Sequence, residues 1–558
     1  MRALGRPSLL LWAAGLYTVL TVVFTWPMAA RLRIMDAGDS AFFAWEIGWE
    51  IHALQTDIQQ LPHGNIFHPL RYTLAYDEPV LGTTLLILPF VPFTNDAVWL
   101  FNVARLLTFV FSGFTAYLLA RELGAGEGAA LVAGTGFGFS LIKSDQIAHL
   151  STLGSQWLPL VVLFTCRYAR TERLRDAMLA GLFYVLQTLA CGYHGLIGAA
   201  VLPLAALPLV WGRWRLVVRA IPAMAAVVVA LLPLYALHQA GLEPLHYVRS
   251  AEETVLYSAS LETFLAAQPW NWLYGEITSP FRTPANELFV GLVRPIVIAI
   301  AAYAVWKERR RPSAIAISFL VMGVAAALVA LGPEVRWRGH TLFPGPFAGL
   351  REILPVFQMI RVPSRAGTFI ALAVSILFAR ALARWEGRPR ALAVLFVLYV
   401  VETLIIPIPM PQWAKVIDTR RPPPAVYTWL AEQPGDFAVV ELPILDIRGV
   451  FERPSYHESI YMVHSTRHWK RLLNGYAGIE PPEYVEMREK AKRFPSAESI
   501  AIFRQRGARY VILHWEAYGP FKSTRISRDL NQFREDLVLV GNFGPDSVFE
   551  LRPTDRQR

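Results

Sequence analysis

Long uninterrupted apolar blocks dominate the sequence and restrict the chain to architectures that form inside a lipid bilayer. A transmembrane helix needs roughly 17–25 mostly apolar residues to cross the hydrocarbon core. Blocks of this kind lie near residues 8–30, 97–120, 127–141, 152–168, 177–193, 195–212, 217–238, 288–306, 313–331, 366–384 and 391–408. Only 17% of the residues are charged, whereas a soluble domain carries about a quarter. The sequence therefore predicts a polytopic α-helical membrane protein with about eleven transmembrane helices.

The distribution of basic residues predicts the orientation of these spans. With a cytoplasmic amino terminus, the inner connections contain Arg2, Arg6, Arg121, Arg167, Arg170, Arg173, Arg175, Arg213, Arg215, Arg219, Lys307, Arg309, Arg310, Arg311, Arg380, Arg384, Arg388 and Arg390. The two short outer connections, near 142–151 and 192–195, hold only Lys143. Because cytoplasmic loops are the basic ones, the amino terminus is expected inside and the carboxy-terminal region outside. The first span lacks a small-residue cleavage site, so it is expected to be an anchor in the cell membrane.

The net charge of +10 does not indicate a nucleic-acid partner. Its basic residues collect on one membrane surface, where they face anionic lipid. The two cysteines, Cys166 and Cys191, both lie in apolar segments and are interpreted as small core residues rather than a disulfide or metal pair.

Three long outer loops, 31–96, 239–287 and 332–365, separate the spans, and their content of aromatic residues, proline and histidine is not typical of disorder. Loops of this length in a compact protein are usually functional. The sequence therefore predicts a transmembrane domain over 1–412 that carries its functional residues on these loops.

After about Gln412 the hydropathy falls and strand and helix patterns alternate. Residues 437–444, 509–514 and 537–540 are typical of buried strands, and 423–433 and 495–505 of amphipathic helices. This pattern predicts a small extracytoplasmic α/β domain over 413–558. Several of its side chains either contact an acceptor glycan or, as the favoured interpretation, form an ordinary polar surface: His457, Tyr461, His464, Arg467, His468 and Tyr476.

Two carboxylates, Asp36 and Asp39, follow the first span directly. Acids at the mouth of a span cost free energy unless they are paired or functional. On a helical turn these two would face the same way, and a carboxylate whose pKa is raised by partial burial can deprotonate a hydroxyl. The alternatives are that Asp39 or Ser40 caps a helix beginning at Ala41, and that Asp36 neutralises a neighbouring arginine.

The second outer connection places Lys143, Asp145 and His149 in one short turn. Lysine is a compact partner for phosphate, and histidine can form hydrogen bonds or move a proton. The alternatives are anchoring of two helix ends at the interface and a simple pair between Asp145 and His149, which are four residues apart.

Two arginines, Arg361 and Arg365, stand at the outer end of the span 366–384, against the charge bias of the other loops. Arginines there need an anionic partner, and a lipid-borne phosphate or diphosphate is a natural one. Snorkelling to the lipid headgroups is the alternative.

No cofactor is predicted. The loop histidines His52, His63 and His68 lack the spacing of a helical metal site. A divalent metal held by carboxylates is an alternative that no ligand spacing supports.

Three segments resemble the GT-C superfamily of glycosyltransferases that use polyprenyl-phosphate sugars, which includes the protein O-mannosyltransferases and the aminoarabinose transferase of lipid A. They are Gly38-Asp39-Ser40 followed by aromatic residues, Gly136 through His149 to Pro159, and Arg361-Val-Pro-Ser-Arg365. The order of cytoplasmic amino terminus, many spans and an acidic motif in the first outer loop is also similar, over residues 1–410.

The resemblance implies that Asp39 deprotonates an acceptor hydroxyl while the sugar leaves polyprenyl phosphate with inversion. Residues Arg361, Arg365, Lys143 and His149 would then hold the leaving phosphate. Many members carry two acids adjacent or one residue apart, whereas Asp36 and Asp39 are three apart. The second acid could instead be Asp145, Asp77 or Glu78.

The expected partners are membrane lipid, a polyprenyl-phosphate sugar donor and a glycan, lipid or protein acceptor. A transporter or flippase of lipid-linked glycans is one alternative, although such proteins tend to show internal repeats and ionisable residues at the membrane midplane. The charged clusters here lie at the outer ends of the spans. A non-catalytic assembly protein that displays the carboxy-terminal domain is the other alternative.

Overall fold

The computed structural model describes residues 7–245, 250–284, 287–309, 312–408, 416–444 and 457–553. The predicted domain boundary between 412 and 413 lies outside these residues. So do Arg2, Arg6, Arg310 and Arg311, which contributed to the predicted orientation.

Residues 7–403 are mainly helical. The α-helices of this region are α1 Pro7–Phe24, α2 Asp39–Thr56, α3 Leu81–Ile87, α4 Ala97–Glu122, α5 Glu127–Gly138, α6 Leu141–Ser144, α7 Leu150–Leu153, α8 Leu158–Thr171, α9 Leu174–Ala190, α10 Gly192–Val210, α11 Trp214–Leu242, α12 Ala251–Leu256, α13 Val293–Lys307, α14 Ala314–Ala330, α15 Pro346–Ile353, α16 Gly367–Leu382 and α17 Pro389–Thr403. Every predicted span overlaps one of these helices.

Among the described residues, five helical segments are long and apolar enough to cross a membrane: Pro7–Phe24, Ala97–Glu122, Gly192–Val210, Trp214–Leu245 and Pro363–Leu382. Helix α11 directs apolar side chains outward: Val228 and Val229 are 62% and 65% exposed. A long apolar helix with outward-facing valines is costly in water and suited to lipid. The helical membrane architecture is confirmed, and the number of about eleven crossings stays a prediction.

The extent of helix α2 was not predicted, because residues 31–96 were expected to form a long loop and a helix beginning at Ala41 was only an alternative. That expectation is wrong for residues 39–56, which form a helix of 18 residues that is buried along most of its length. A helix that is buried on nearly all sides shows no single apolar stripe, so the periodicity that reveals a surface helix is missing here.

The carboxy-terminal region contains helices and a mixed sheet. Its helices are α18 Ala425–Glu432, α19 His457–Ser465, α20 Pro482–Ala491, α21 Ala497–Gln505 and α22 Pro520–Asp529. The strands of the chain are β1 Ile34–Asp36, β2 Glu334–Trp337, β3 His340–Pro344, β4 Val416–Asp418, β5 Ala438–Leu442, β6 Arg471–Leu472, β7 Ala508–His514, β8 Leu537–Phe543 and β9 Asp546–Leu551. The sheet order is β6-β5-β7-β9-β8, with β5 parallel to β6 and β7.

The carboxy-terminal region packs against residues 31–96. In a separate two-stranded sheet, strand β1 pairs antiparallel with β4. Residues 65–68 run along the β6 edge, where the Leu472 amide donates to the Asn65 carbonyl (2.7 Å) and the His68 amide donates to the Leu472 carbonyl (2.8 Å). One cluster of buried apolar side chains extends from Tyr17 in α1 to Leu551 in β9. The two regions therefore share a core, and the carboxy-terminal sheet lies beside the start of α2.

Candidate active site

The start of helix α2 presents Asp39. Gly38, which has a positive φ of 89°, is the N-cap residue, and no side chain caps the helix. The alternative that Asp39 or Ser40 caps the helix is therefore wrong. Asp39 stands in the first turn, where the positive end of the helix favours a carboxylate, and its side chain is left to make other contacts.

Asp36 does not share a helical face with Asp39, because it ends strand β1 and the helix begins three residues later. Its carboxylate accepts a hydrogen bond from the Ser40 hydroxyl (3.2 Å). The expectation of a paired Asp36 and Asp39 on one helical turn is therefore wrong.

Both carboxylate oxygens of Asp39 have a partner. His149 Nε2 lies 3.0 Å from Asp39 Oδ2, and the Tyr476 hydroxyl donates to Asp39 Oδ1 (2.5 Å). The Asp39 side chain is nevertheless 42% exposed and that of His149 34%. The pair can therefore be reached by a substrate.

The environment of Asp39 favours its ionised form. Burial acts to raise the pKa of this carboxyl, but hydrogen bonding and charge from His149, followed by Tyr476 and Arg361, outweigh burial and hold the pKa well below its usual range. The expectation of a raised pKa is therefore wrong. Asp39 is a carboxylate across the neutral range and can accept a proton without first losing one.

The other two acids of α2 have raised pKa values, in contrast to Asp39. Glu46 and Glu50 are both about 1% exposed. Burial raises the pKa of Glu50 to about 8, and burial together with the charge of Glu50 raises that of Glu46. Glu50 contacts the Thr84 hydroxyl. Asp39 is therefore the ionised and accessible acid of this helix.

Asp77 is the candidate second acid that lies within electrostatic range of Asp39. Its Oδ2 accepts a hydrogen bond from the Gly478 amide (2.7 Å) and its Oδ1 from the Glu78 amide (2.8 Å). Burial raises the pKa of Asp77, and the charges of Glu78 and Asp39 add to this effect. Another candidate second acid, Asp145, lies in the short turn near 142–151. It accepts a hydrogen bond from the side-chain amide of Gln146 (2.8 Å).

Glu78, the remaining candidate second acid, is paired with Arg365. The side chains of Arg365 and Glu78 are only 9% and 12% exposed, and they form an ion pair. The Arg365 guanidinium also lies over the Tyr193 ring, 4.5 Å from its centroid. Arg365 is thus paired with a buried carboxylate of the same chain.

Replacing Arg365 by methionine is expected to destabilise the fold by about 3–5 kcal/mol, because removing one partner leaves the buried Glu78 charge without its counter-ion. Thermal and denaturant unfolding of the purified protein in detergent measure this loss. Arg471→Met is the matched control, since both side chains of its pair with Asp436 are exposed and exposed pairs contribute little. Equal destabilisation by the two replacements would contradict the assignment of Arg365 to a buried pair.

Arg361 is placed differently from Arg365. Its side chain is 31% exposed, and Nη1 lies 3.6 Å from Glu253 Oε1. The guanidinium stacks on the Tyr257 ring at 5.4 Å, and within the described ranges its Nε has no hydrogen-bond partner. Its charge acts on both Asp39 and Asp77. Arg361 is therefore a partly exposed cation whose charge reaches Asp39.

Lys143 was expected to bind phosphate, yet its ammonium group is directed into the protein. The side chain is buried and contacts the hydroxyl groups of Ser112 (3.1 Å) and Ser155 (3.0 Å) as well as the Leu153 carbonyl. These three acceptors satisfy the donors of an ammonium group.

The structure thus pairs Asp39 with His149 and places Arg361 and Asp77 within electrostatic range of Asp39. Asp36, Lys143 and Arg365 make other contacts. Sequence reasoning missed Tyr476 as a partner of Asp39, because the two are 437 positions apart and no local pattern links them. Within the described part of the chain, no group of three or more His, Cys, Asp or Glu side chains is arranged to hold a metal ion.

The chain is similar to a protein family and to two solved structures. The model of a family described as domain of unknown function DUF6311 matches residues 44–403. No curated protein matches the sequence.

Solved structures show the fold. Arabinofuranosyltransferase AftD from Mycobacteria superposes with a TM-score of 0.59 at 16% identity, over 99% of this chain and 40% of the AftD chain. ArnT from Cupriavidus metallidurans, in the apo state, superposes with a TM-score of 0.50 at 12% identity, over 98% of this chain and 99% of that chain. Both have the GT-C fold, and so does this chain, which spans about two fifths of the AftD length.

Proposed function

The chain belongs to the DUF6311 family, and we propose that it is a membrane glycosyltransferase. In this proposal it moves a sugar from a polyprenyl-phosphate donor to an acceptor hydroxyl at the outer face of the membrane. The observation that carries the proposal is the accessible Asp39 carboxylate, which is paired with His149 at 3.0 Å and stabilised by the charge of Arg361 in a GT-C fold. GT-C structural neighbours support the general class.

The proposed reaction is a single displacement at the anomeric carbon. The acceptor hydroxyl oxygen bonds to that carbon while the bond from the carbon to the phosphate oxygen breaks, and its electron pair leaves with polyprenyl phosphate. The configuration of the sugar inverts. The hydroxyl proton becomes strongly acidic as the new bond forms, so an ionised carboxylate with a low pKa is sufficient to accept it.

Asp39 is the proposed base because it is the ionised acid that remains accessible. His149 and Tyr476 each contact one of its two oxygens. An incoming hydroxyl would displace or share one of these hydrogen bonds. His149 therefore holds the base in this proposal, in place of the phosphate-binding role that the family resemblance implies.

Arg361 is the proposed ligand for the leaving phosphate. Charge builds up on the phosphate oxygens as the bond to the sugar breaks, and a guanidinium already in place stabilises that charge without reorganisation. Arg361 is 31% exposed, whereas Arg365 is 9% exposed and Lys143 is 6% exposed. The exposure of these three cations supports Arg361 over the other two.

The site stands at the end of a membrane-spanning segment, which suits a lipid-linked donor. Arg361 precedes the apolar segment Pro363–Leu382 by two residues. A polyprenyl chain could remain in hydrocarbon while its phosphate reaches Arg361. With the amino terminus cytoplasmic, this end of the segment and the carboxy-terminal sheet are proposed to face the outside.

A panel of polyprenyl-phosphate sugars, presented to the purified protein in lipid vesicles together with candidate glycan, lipid and protein acceptors, tests the proposal. Turnover with one donor is expected to release polyprenyl phosphate and to identify the sugar. Binding of a lipid-linked sugar with movement between leaflets and no bond cleavage would instead support a flippase. Absence of both across the panel would support the assembly role.

A further inference from the structure

A short segment of the carboxy-terminal region reaches the candidate active site. Residues 474–478 follow strand β6. The segment is attached to the first outer loop at its start, where the Phe67 amide donates to the Asn474 carbonyl (2.9 Å). Phe67 and Tyr76 also pack against each other, with ring centroids 5.8 Å apart. Residues 474–478 are therefore held in position by the loop that carries Asp39 and Asp77.

The same segment donates one hydrogen bond to each of two acids. The Tyr476 hydroxyl donates to Asp39 Oδ1 (2.5 Å), and two residues later the Gly478 amide donates to Asp77 Oδ2 (2.7 Å). A hydrogen bond to an ionised group is stronger than a hydrogen bond between two neutral groups. The two acids are thus connected through one stretch of backbone that belongs to another part of the chain.

The position of Gly478 shows how closely the backbone approaches Asp77. A Cβ atom at this position would lie 3.0 Å from Asp77 Oδ2 and 3.4 Å from its Cγ. Any side chain here would therefore push the carboxylate or the segment away. Glycine allows the amide to come within hydrogen-bond distance.

We propose that residues 474–478 form part of the catalytic centre, in which Tyr476 is a positioning residue for Asp39 and Gly478 one for Asp77. This inference rests on the proposed function, since it assigns the C-terminal region a role in holding the base of that reaction. The centre is then complete only when the carboxy-terminal sheet is seated on the first outer loop. Tyr476 orients the Asp39 carboxylate toward the acceptor and does not itself need to touch the reacting atoms.

The charged and titratable groups around Asp39 determine in which direction its pKa, and therefore the pH dependence of the reaction, changes when Tyr476 is replaced. His149 from the turn before α7, Arg361 from the third outer loop and Tyr476 favour the ionised carboxylate, whereas Asp77 is a like charge nearby. Removal of the Tyr476 hydroxyl raises the pKa of Asp39. Because the base works only when ionised, activity is then lost at a higher pH on the acidic side of the profile.

Tyr476→Phe is the variant that tests the inference, measured with the donor identified by the panel. Loss of one hydrogen bond to a charged group is expected to lower kcat by about 10-fold with little change in the donor KM. The acidic limb of the rate profile is expected to move to higher pH. In the Asp39→Asn background the same replacement is expected to have no further effect on the residual rate.

Tyr461→Phe is the matched control. It removes a buried hydroxyl that donates to the Pro443 carbonyl (3.3 Å) in the same region, and it is expected to leave kcat and the acidic limb unchanged. Gly478→Ala is the second variant and is expected to lower kcat, whereas Gly519→Ala has open space around the new methyl group and is expected to have no effect.

The outcomes separate this inference from the proposed function. Wild-type kcat and an unshifted acidic limb in Tyr476→Phe, with Asp39→Asn inactive, would overturn the inference and leave the proposed function standing. Turnover that persists in Asp39→Asn would overturn the proposed function itself. An equal loss in Tyr461→Phe would show that Tyr476 acts only through the stability of the region and would also overturn the inference.

Discussion

Replacing Asp39 by asparagine is expected to lower the rate of sugar transfer by about 10²–10⁴-fold, the usual contribution of a positioned general base. Asparagine keeps the size of the side chain and its hydrogen bonds at Oδ1, but it cannot accept the proton of the acceptor hydroxyl. The single-turnover rate at saturating donor and acceptor measures the loss. The variant is expected to fold, because Asp39 lies at an accessible helix start.

Asp36→Asn is the matched control for this change. It neutralises an acid three residues away whose carboxylate contacts Ser40, and it is expected to change the rate only slightly. A larger loss in Asp36→Asn than in Asp39→Asn would contradict the assignment of the base and return it to Asp36.

Replacing Arg361 by glutamine is expected to weaken donor binding by about 10- to 100-fold, because a hydrogen bond to a charged group contributes roughly 1.5–3 kcal/mol. The Arg361 side chain is 31% exposed, so its guanidinium can meet a phosphate. The effect is expected on the donor rather than the acceptor. Binding of the polyprenyl-phosphate product to the protein in vesicles, measured by calorimetry, separates the two.

Arg338→Gln is the control for the charge of the third outer loop. Arg338 is exposed, and its guanidinium stacks on Trp337 at 5.8 Å. If the loop attracts the donor only through its net positive charge, both replacements will weaken binding to the same extent, and the site assigned to Arg361 will be wrong.

The membrane helices could be predicted from sequence because hydropathy is a local property that requires no knowledge of neighbours. Every predicted span overlaps a helix, and their ends differ by a few residues. Helix α2 was missed for the opposite reason: burial around Trp45, Glu46 and Glu50 comes from other segments, so the sequence carries no single apolar face. Strand β9 was missed as well, although its partner β7 was predicted.

The candidate site was predicted in part. Asp39, His149 and Arg361 stood out as polar residues at the ends of apolar blocks. The structure pairs Asp39 with His149 and brings Asp39 within reach of the Arg361 charge. Their partners could not be derived, because helices α2 to α6 separate Asp39 from His149 in the chain and 437 positions separate it from Tyr476. The sequence could not distinguish the buried arginine from the accessible one, because Arg361 and Arg365 share a motif. Arg365 is buried in its pair with Glu78, which lies far away in the chain.

Sugar transfer from polyprenyl phosphate with Asp39 as base can be tested in a single assay. Wild-type protein and Asp39→Asn, reconstituted side by side in vesicles with the donor panel, are assayed for released polyprenyl phosphate and for the anomeric configuration of the product. We expect one polyprenyl phosphate released for each sugar transferred, an inverted product, and loss of both signals in the variant. Transfer by Asp39→Asn at the wild-type rate, or a product with retained configuration, would contradict it.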